Sequence, residues 1–125
     1  MTIEQLGPYW DDSFRKKPLD AERLLRLLGA TGKLVGFRYT IYMLECIVAD
    51  PSRILLITKS LYPDTARQFH TSAVSVERAL RTLIQICWHQ ADHRALDHVA
   101  GMYLRRMPTN SEFLDILAAY LRAVQ

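Results

Sequence analysis

No stretch of this sequence approaches the roughly 18 uninterrupted apolar residues of a membrane-spanning helix, so no membrane span is expected. The opening, MTIEQLGPYWDDSF, lacks the basic patch and apolar run of a secretion signal. Cysteine is scarce. Cys46 and Cys87 are the only two, each within an apolar helical pattern, which reads as reduced core thiols in a cytoplasmic protein. Five glycines and five prolines are scattered, forming no phosphate loop, dinucleotide fingerprint or low-complexity tract. No serine sits in a nucleophile elbow and no acid–base pair stands out, so an enzyme is not expected. No segment alternates in the manner of a strand, and there is no internal repeat.

What is present is a chain of 125 residues, half of them apolar, enough to bury one real core. The pattern is helical throughout. The expected fold is all-α, a compact multi-helix domain over residues 20–125, with residues 1–19 as an N-terminal arm or extension.

The most informative stretch is Leu61 to Trp88, LYPDTARQFHTSAVSVERALRTLIQICW. It reads as a short helix, a tight turn and a long amphipathic helix, the layout of a helix-turn-helix over about 61–89. Ala66 is small enough for a second helix to cross closely. His70 falls where the turn demands positive φ, which His tolerates better than most residues other than Gly. Thr71 or Ser72 offers an N-cap oxygen. At about 100° per residue, Val76, Leu80, Leu83 and Cys87 share one side of the second helix, flanked by Ala79 and Ile84. Val76 and Ala79 are placed to pack back on the first helix. Val74, Arg78, Arg81 and Gln85 share the opposite side.

These residues resemble a known family. LYPDTARQF, VERALR and PTNSEF at 108–113 are similar, in order and spacing, to the effector domain of stage 0 sporulation protein A, a response regulator of sporulation initiation. The resemblance covers roughly residues 22–122. It implies an all-helical domain that binds a short promoter box as tandem copies and contacts the housekeeping sigma subunit of RNA polymerase. Ser75 stands where the family pattern has an Arg. A receiver domain is not expected here, since only about twenty residues precede the first helix, so control is expected to rest on expression level, a partner or residues 1–19.

Arg78 and Arg81 suit guanine, because the guanidinium fork donates to O6 and N7 together. Glu77 suits the cytosine amino group, and the resemblance places Glu77, Arg78 and Arg81 on DNA. Val74 suits a thymine methyl. With Ser75, these are the expected base readers. Lys59, Arg67, Thr71 and Ser72 are the expected phosphate contacts, the last two at the positive end of a helix. The bland reading of Glu77 and Arg81 is an i,i+4 surface pair. Net charge is +3, yet residues 53–106 hold eight Lys or Arg against four Asp or Glu, an excess near the motif of the kind phosphate contact requires. Cys87, His89, His93 and His98 have a metal-like look without the HExxH glutamate, so no metal and no cofactor are expected.

Elsewhere, Asp20 is placed to cap a helix from Ala21 to Leu28 that stops at Gly29. A second helix runs from Gly36 to Ala49, with Phe37, Ile41, Leu44 and Val48 at helical spacing. A third is expected from Ile54 to Leu61, and Pro63 must kink it or begin the next. A short helix spans about Arg94 to Ala100, followed by a basic connection whose Arg105 and Arg106 are phosphate candidates. Thr109-Asn110-Ser111-Glu112 is a capping box opening a last helix, with Phe113, Ile116, Leu117, Tyr120 and Leu121 on one side. The functional reading is sequence-specific transcriptional regulation, with helix 72–89 in the major groove of double-stranded DNA. The alternative is a protein-interaction module that keeps the fold, binds DNA weakly or not at all, and acts on a sporulation regulator or polymerase.

Overall fold

The carboxylate of Asp20 accepts the Arg23 N–H at 2.9 Å, satisfying one of the donors that a helix start leaves open. From that cap runs α1, Ala21–Leu27, closed by Gly29 at φ +104°. The computed structural model describes residues 19–125. The arm expected over residues 1–19 lies, apart from Leu19, outside them. Five more α-helices follow: α2, Gly36–Ala49; α3, Tyr62–Gln68; α4, Ala73–Trp88; α5, Arg94–Ala100; and α6, Asn110–Val124. No strand occurs among the described residues.

The core lies between α2, α4 and α6, with α2 packed against both of the others. Leu24, Leu44, Ile47, Leu80, Phe113 and Leu117 are fully buried there, each stabilising the fold by about 2 kcal/mol. Two apolar stripes depart from the expected spacing. In α2 the buried apolar side chains are Phe37, Met43, Leu44 and Ile47, while Ile41 and Val48 are half-buried. In α6, Leu114 and Ala118 are buried, while Ile116 and Tyr120 are half-buried. The reason for α2 is its position. Flanked by α4 and α6, it buries more than one stripe, so a single-sided pattern misplaces the deepest residues.

Gly36 shows how tightly α2 seats on α4. A Cβ built at Gly36 would lie 2.5 Å from the Ala79 carbonyl oxygen, well inside van der Waals contact. Ala79, expected at the crossing with the motif's first helix, thus backs onto α2.

The segment expected as a helix from Ile54 to Leu61 is different. A 3-10 turn spans Pro51–Leu56, capped by Asp50, and a π-type turn spans Ile57–Leu61. The Tyr62 N–H reaches back to the Ile57 carbonyl, five residues earlier. Pro63 has no N–H to continue the ladder, so it serves instead in the first turn of α3.

Candidate nucleic-acid interface

The joint between α3 and α4 is built by hydrogen bonds that both ends supply. At the end of α3, His70 N–H donates to the Arg67 carbonyl and Thr71 N–H to the Ala66 carbonyl at 2.9 Å. That pair of bonds is a Schellman ending, which requires a left-handed residue at its hinge. His70 supplies it at φ +55°, the single positive φ outside glycine among the described residues. Ser72 then caps α4, its Oγ accepting the Ser75 N–H at 3.1 Å. Thr71 leaves the capping to Ser72.

Helix α4 has two distinct sides. Val76, Leu80, Leu83, Ile84 and Cys87 are buried, in agreement with the sequence pattern. Val74, Arg78, Arg81 and Gln85 are exposed. Burial pushes the Cys87 thiol up to about 12, so it stays protonated as a core group.

The expected site residues differ in what already engages them. Arg81 Nη2 donates to Glu77 Oε1 at 2.8 Å, the i,i+4 pair. Arg67 Nη2 donates to Asp64 Oδ1 at 2.9 Å, and Arg53 Nη2 takes the other Asp64 oxygen at 2.9 Å. These two guanidinium groups, Arg53 first, hold the Asp64 carboxyl below its ordinary range. Ser72 Oγ donates to Ser75 Oγ at 2.8 Å. Val74 is 56% exposed, and Thr71 is half-buried. Lys59 and Arg78 are exposed and make no ion pair among the described residues.

The basic excess of residues 53–106 is therefore largely spoken for. Arg53, Arg67, Arg81, Arg94 and Arg106 each hold a carboxylate. Lys59, Arg78 and Arg105 hold none among the described residues. Arg106, considered for phosphate, forms a two-bond fork with Glu112 at 2.9 and 3.0 Å. Together with the Thr109 contacts, that fork pulls Glu112 down to about 2.

One organising residue carried no mark in the sequence. Asn110 Nδ2 donates to the Tyr62 hydroxyl and to the Glu77 carbonyl, both at 3.1 Å. It thereby ties the start of α6 to α3 and to the second turn of α4. Asn110 sits at the first position of a capping-box helix, where many residue types are tolerated, so spacing alone gave it no role. Beside this tie lies an open cleft of about 800 Å³. Leu56, Lys59, Glu77, Arg81, Met107 and Ser111 are among its walls.

The metal-like residues do not gather. Cys87 is in the core, His93 stacks on Trp88 with centroids 4.5 Å apart, and His98 meets the Tyr120 ring edge. Among the described residues no group of three or more His, Cys, Asp or Glu is placed to hold a metal ion. Among them, too, no helix is long and apolar enough to cross a membrane.

A short helix, a left-handed hinge and a capped helix with an arginine-bearing outer side define an all-helical domain of the helix-turn-helix class. The family model described as sporulation initiation factor Spo0A C terminal matches residues 21–121. The chain belongs to that family, whose domain is a DNA-binding effector of transcription in sporulation.

Proposed function

We propose that this chain is a sequence-specific transcriptional regulator that inserts α4 into the major groove of double-stranded DNA. The observation that carries the reading is the division of α4: one side sealed in the core, the other offering Arg78 with no ion-pair partner among the described residues. A guanidinium kept free at the start of an exposed helix is suited to guanine O6 and N7. Val74, Ser75, Glu77, Arg78 and Arg81 form the proposed base-facing side of α4, on which Val74, Glu77, Arg78 and Arg81 are the proposed readers. Lys59, Arg67, Thr71 and Ser72 are the proposed phosphate contacts, Arg67 by exchanging Asp64 for a phosphate oxygen. One helix offers few base contacts, so pairing of two copies on DNA is part of the proposal. So are a cytoplasmic location and a contact with the sigma subunit of RNA polymerase, as family membership suggests.

A second reading is an interaction module with weak DNA binding, acting on a sporulation regulator or polymerase. It is favoured by the open cleft and by Leu55 and Leu56, both exposed beside it. Fluorescence anisotropy separates the two. The purified protein is titrated against a duplex with the family's box and a scrambled duplex across a salt series, with Arg78→Ala in parallel and circular dichroism as the folding check. Salt-sensitive binding that prefers the box and weakens in Arg78→Ala is expected. No binding at low salt by a folded protein moves the assignment to the interaction module.

A further inference from the structure

Four of the proposed base-facing residues are not equivalent to one another in the free protein. Ser75 is engaged twice by Ser72: its N–H donates to Ser72 Oγ and its own Oγ accepts from the Ser72 hydroxyl at 2.8 Å. It also lies about 100° round the helix from Val74, on the flank rather than the crest. Arg81 is held by Glu77 at 2.8 Å. Val74 and Arg78 are the members unengaged among the described residues, and they lie within about 40° of each other on the crest, one turn apart.

Val74 is the unusual one. A β-branched residue in the first turn contributes little to helix stability, and more than half of this side chain is exposed, so the fold gives no reason for a valine. An apolar methyl pair at the leading end of an exposed arginine-bearing crest is chemically matched to one feature of the major groove, the 5-methyl of thymine. The separation of Val74 and Arg78 along the axis is about 6 Å, close to the rise of two base pairs at about 3.4 Å each.

We infer that Val74 is a specificity-determining residue that reads a thymine methyl within about two base pairs of the guanine held by Arg78, with Ser75 positioning the cap rather than reading a base. This rests on the major-groove reading of α4. Two consequences follow from the geometry. Removing the methyl from DNA and removing the side chain from the protein must cost the same contact once, not twice. Ser75→Ala must leave base preference as it was, since its hydroxyl faces Ser72.

The full chain is first used to select its preferred duplex from a randomised library. Each thymine of that duplex is then replaced singly by deoxyuridine, which removes only the 5-methyl, and each guanine by 7-deazaguanine, which removes N7. The expected result is one thymine whose replacement weakens wild-type binding about fourfold, the value of one buried methyl. The same replacement leaves Val74→Ala unchanged, while Ser75→Ala keeps the wild-type pattern. That thymine lies within two base pairs of the guanine whose 7-deaza replacement is felt by wild type but not by Arg78→Ala. If no deoxyuridine weakens the wild type, or the loss persists in Val74→Ala while Arg78 still reads its guanine, the inference about Val74 is overturned and the DNA-binding function stands. If the folded protein selects no duplex at low salt, both are overturned.

Discussion

The two longest described helices, α4 with 16 residues and α6 with 15, begin in opposite ways although both bury one side in the same core. At the start of α6 the polar groups form a closed set. Thr109 and Glu112 cap reciprocally, Arg106 forks onto Glu112, and Asn110 reaches Tyr62 and Glu77. At the start of α4, Ser72 caps Ser75 and there the network stops. Val74 and Arg78 face outward with no partner among the described residues. Polar residues whose bonding is complete within the chain maintain the fold. The unpaired cation at the crest of α4, beside an apolar side chain the core does not use, is what the proposed reading assigns to DNA.

Mutations on the shared inner side should abolish the contrast, because both helices depend on it alike. Leu80→Ala and Phe113→Ala are each expected to cost about 3 kcal/mol or more of stability in urea unfolding, with DNA binding lost only as the fold is lost. Gly36→Ala drives a Cβ toward the Ala79 carbonyl and is expected to cost about 2 kcal/mol by overpacking. Because it shifts the seat of α4, its binding loss should exceed that of an equally destabilised α6 variant.

Arg78→Ala sharpens the comparison from the other side. Unfolding free energy should stay within about 0.5 kcal/mol of wild type, while affinity for the preferred duplex falls about tenfold or more. A large stability loss would mean that Arg78 belongs to the fold after all. Thr109→Ala is the converse: about 1 kcal/mol of stability lost through the missing cap, with little change in affinity at temperatures where the protein stays folded.

The smallest effect is the share of the pH dependence that the start of α6 contributes. Glu112 is held at about 2, first by Arg106 and then by Thr109, below its ordinary carboxylate value. A depressed folded-state value means that this contribution is complete above the unfolded value and is lost as pH falls from about 5 toward about 2. Glu112→Gln should flatten that part of a stability–pH curve measured by thermal unfolding. An unchanged slope would show that the fork with Arg106 does not persist in solution.

Much of this was legible from residue types alone. Asp20, His70, the Thr71–Ser72 pair and the Thr109–Glu112 box announce their turns because each rests on bonds within four or five residues, a distance over which sequence is geometry. The inward stripe of α4 was legible as well, since a helix with one wet side and one dry side writes its period plainly. The buried sides of α2 and α6 were less so, and the 3-10 and π-type turns before α3 were masked by an ordinary helical pattern.

The sequence by itself therefore determined the helical class, the hinge at His70, most of the caps and the inward side of α4, all local or periodic properties. Only the tertiary structure decided which charges are free, that Gly36 admits the Ala79 backbone, and that Asn110 holds the Glu77 carbonyl of α4 from 33 residues away. The reason is physical. A charge's availability and a backbone's closest approach depend on neighbours brought together by packing, and no spacing along the chain encodes which neighbours those are.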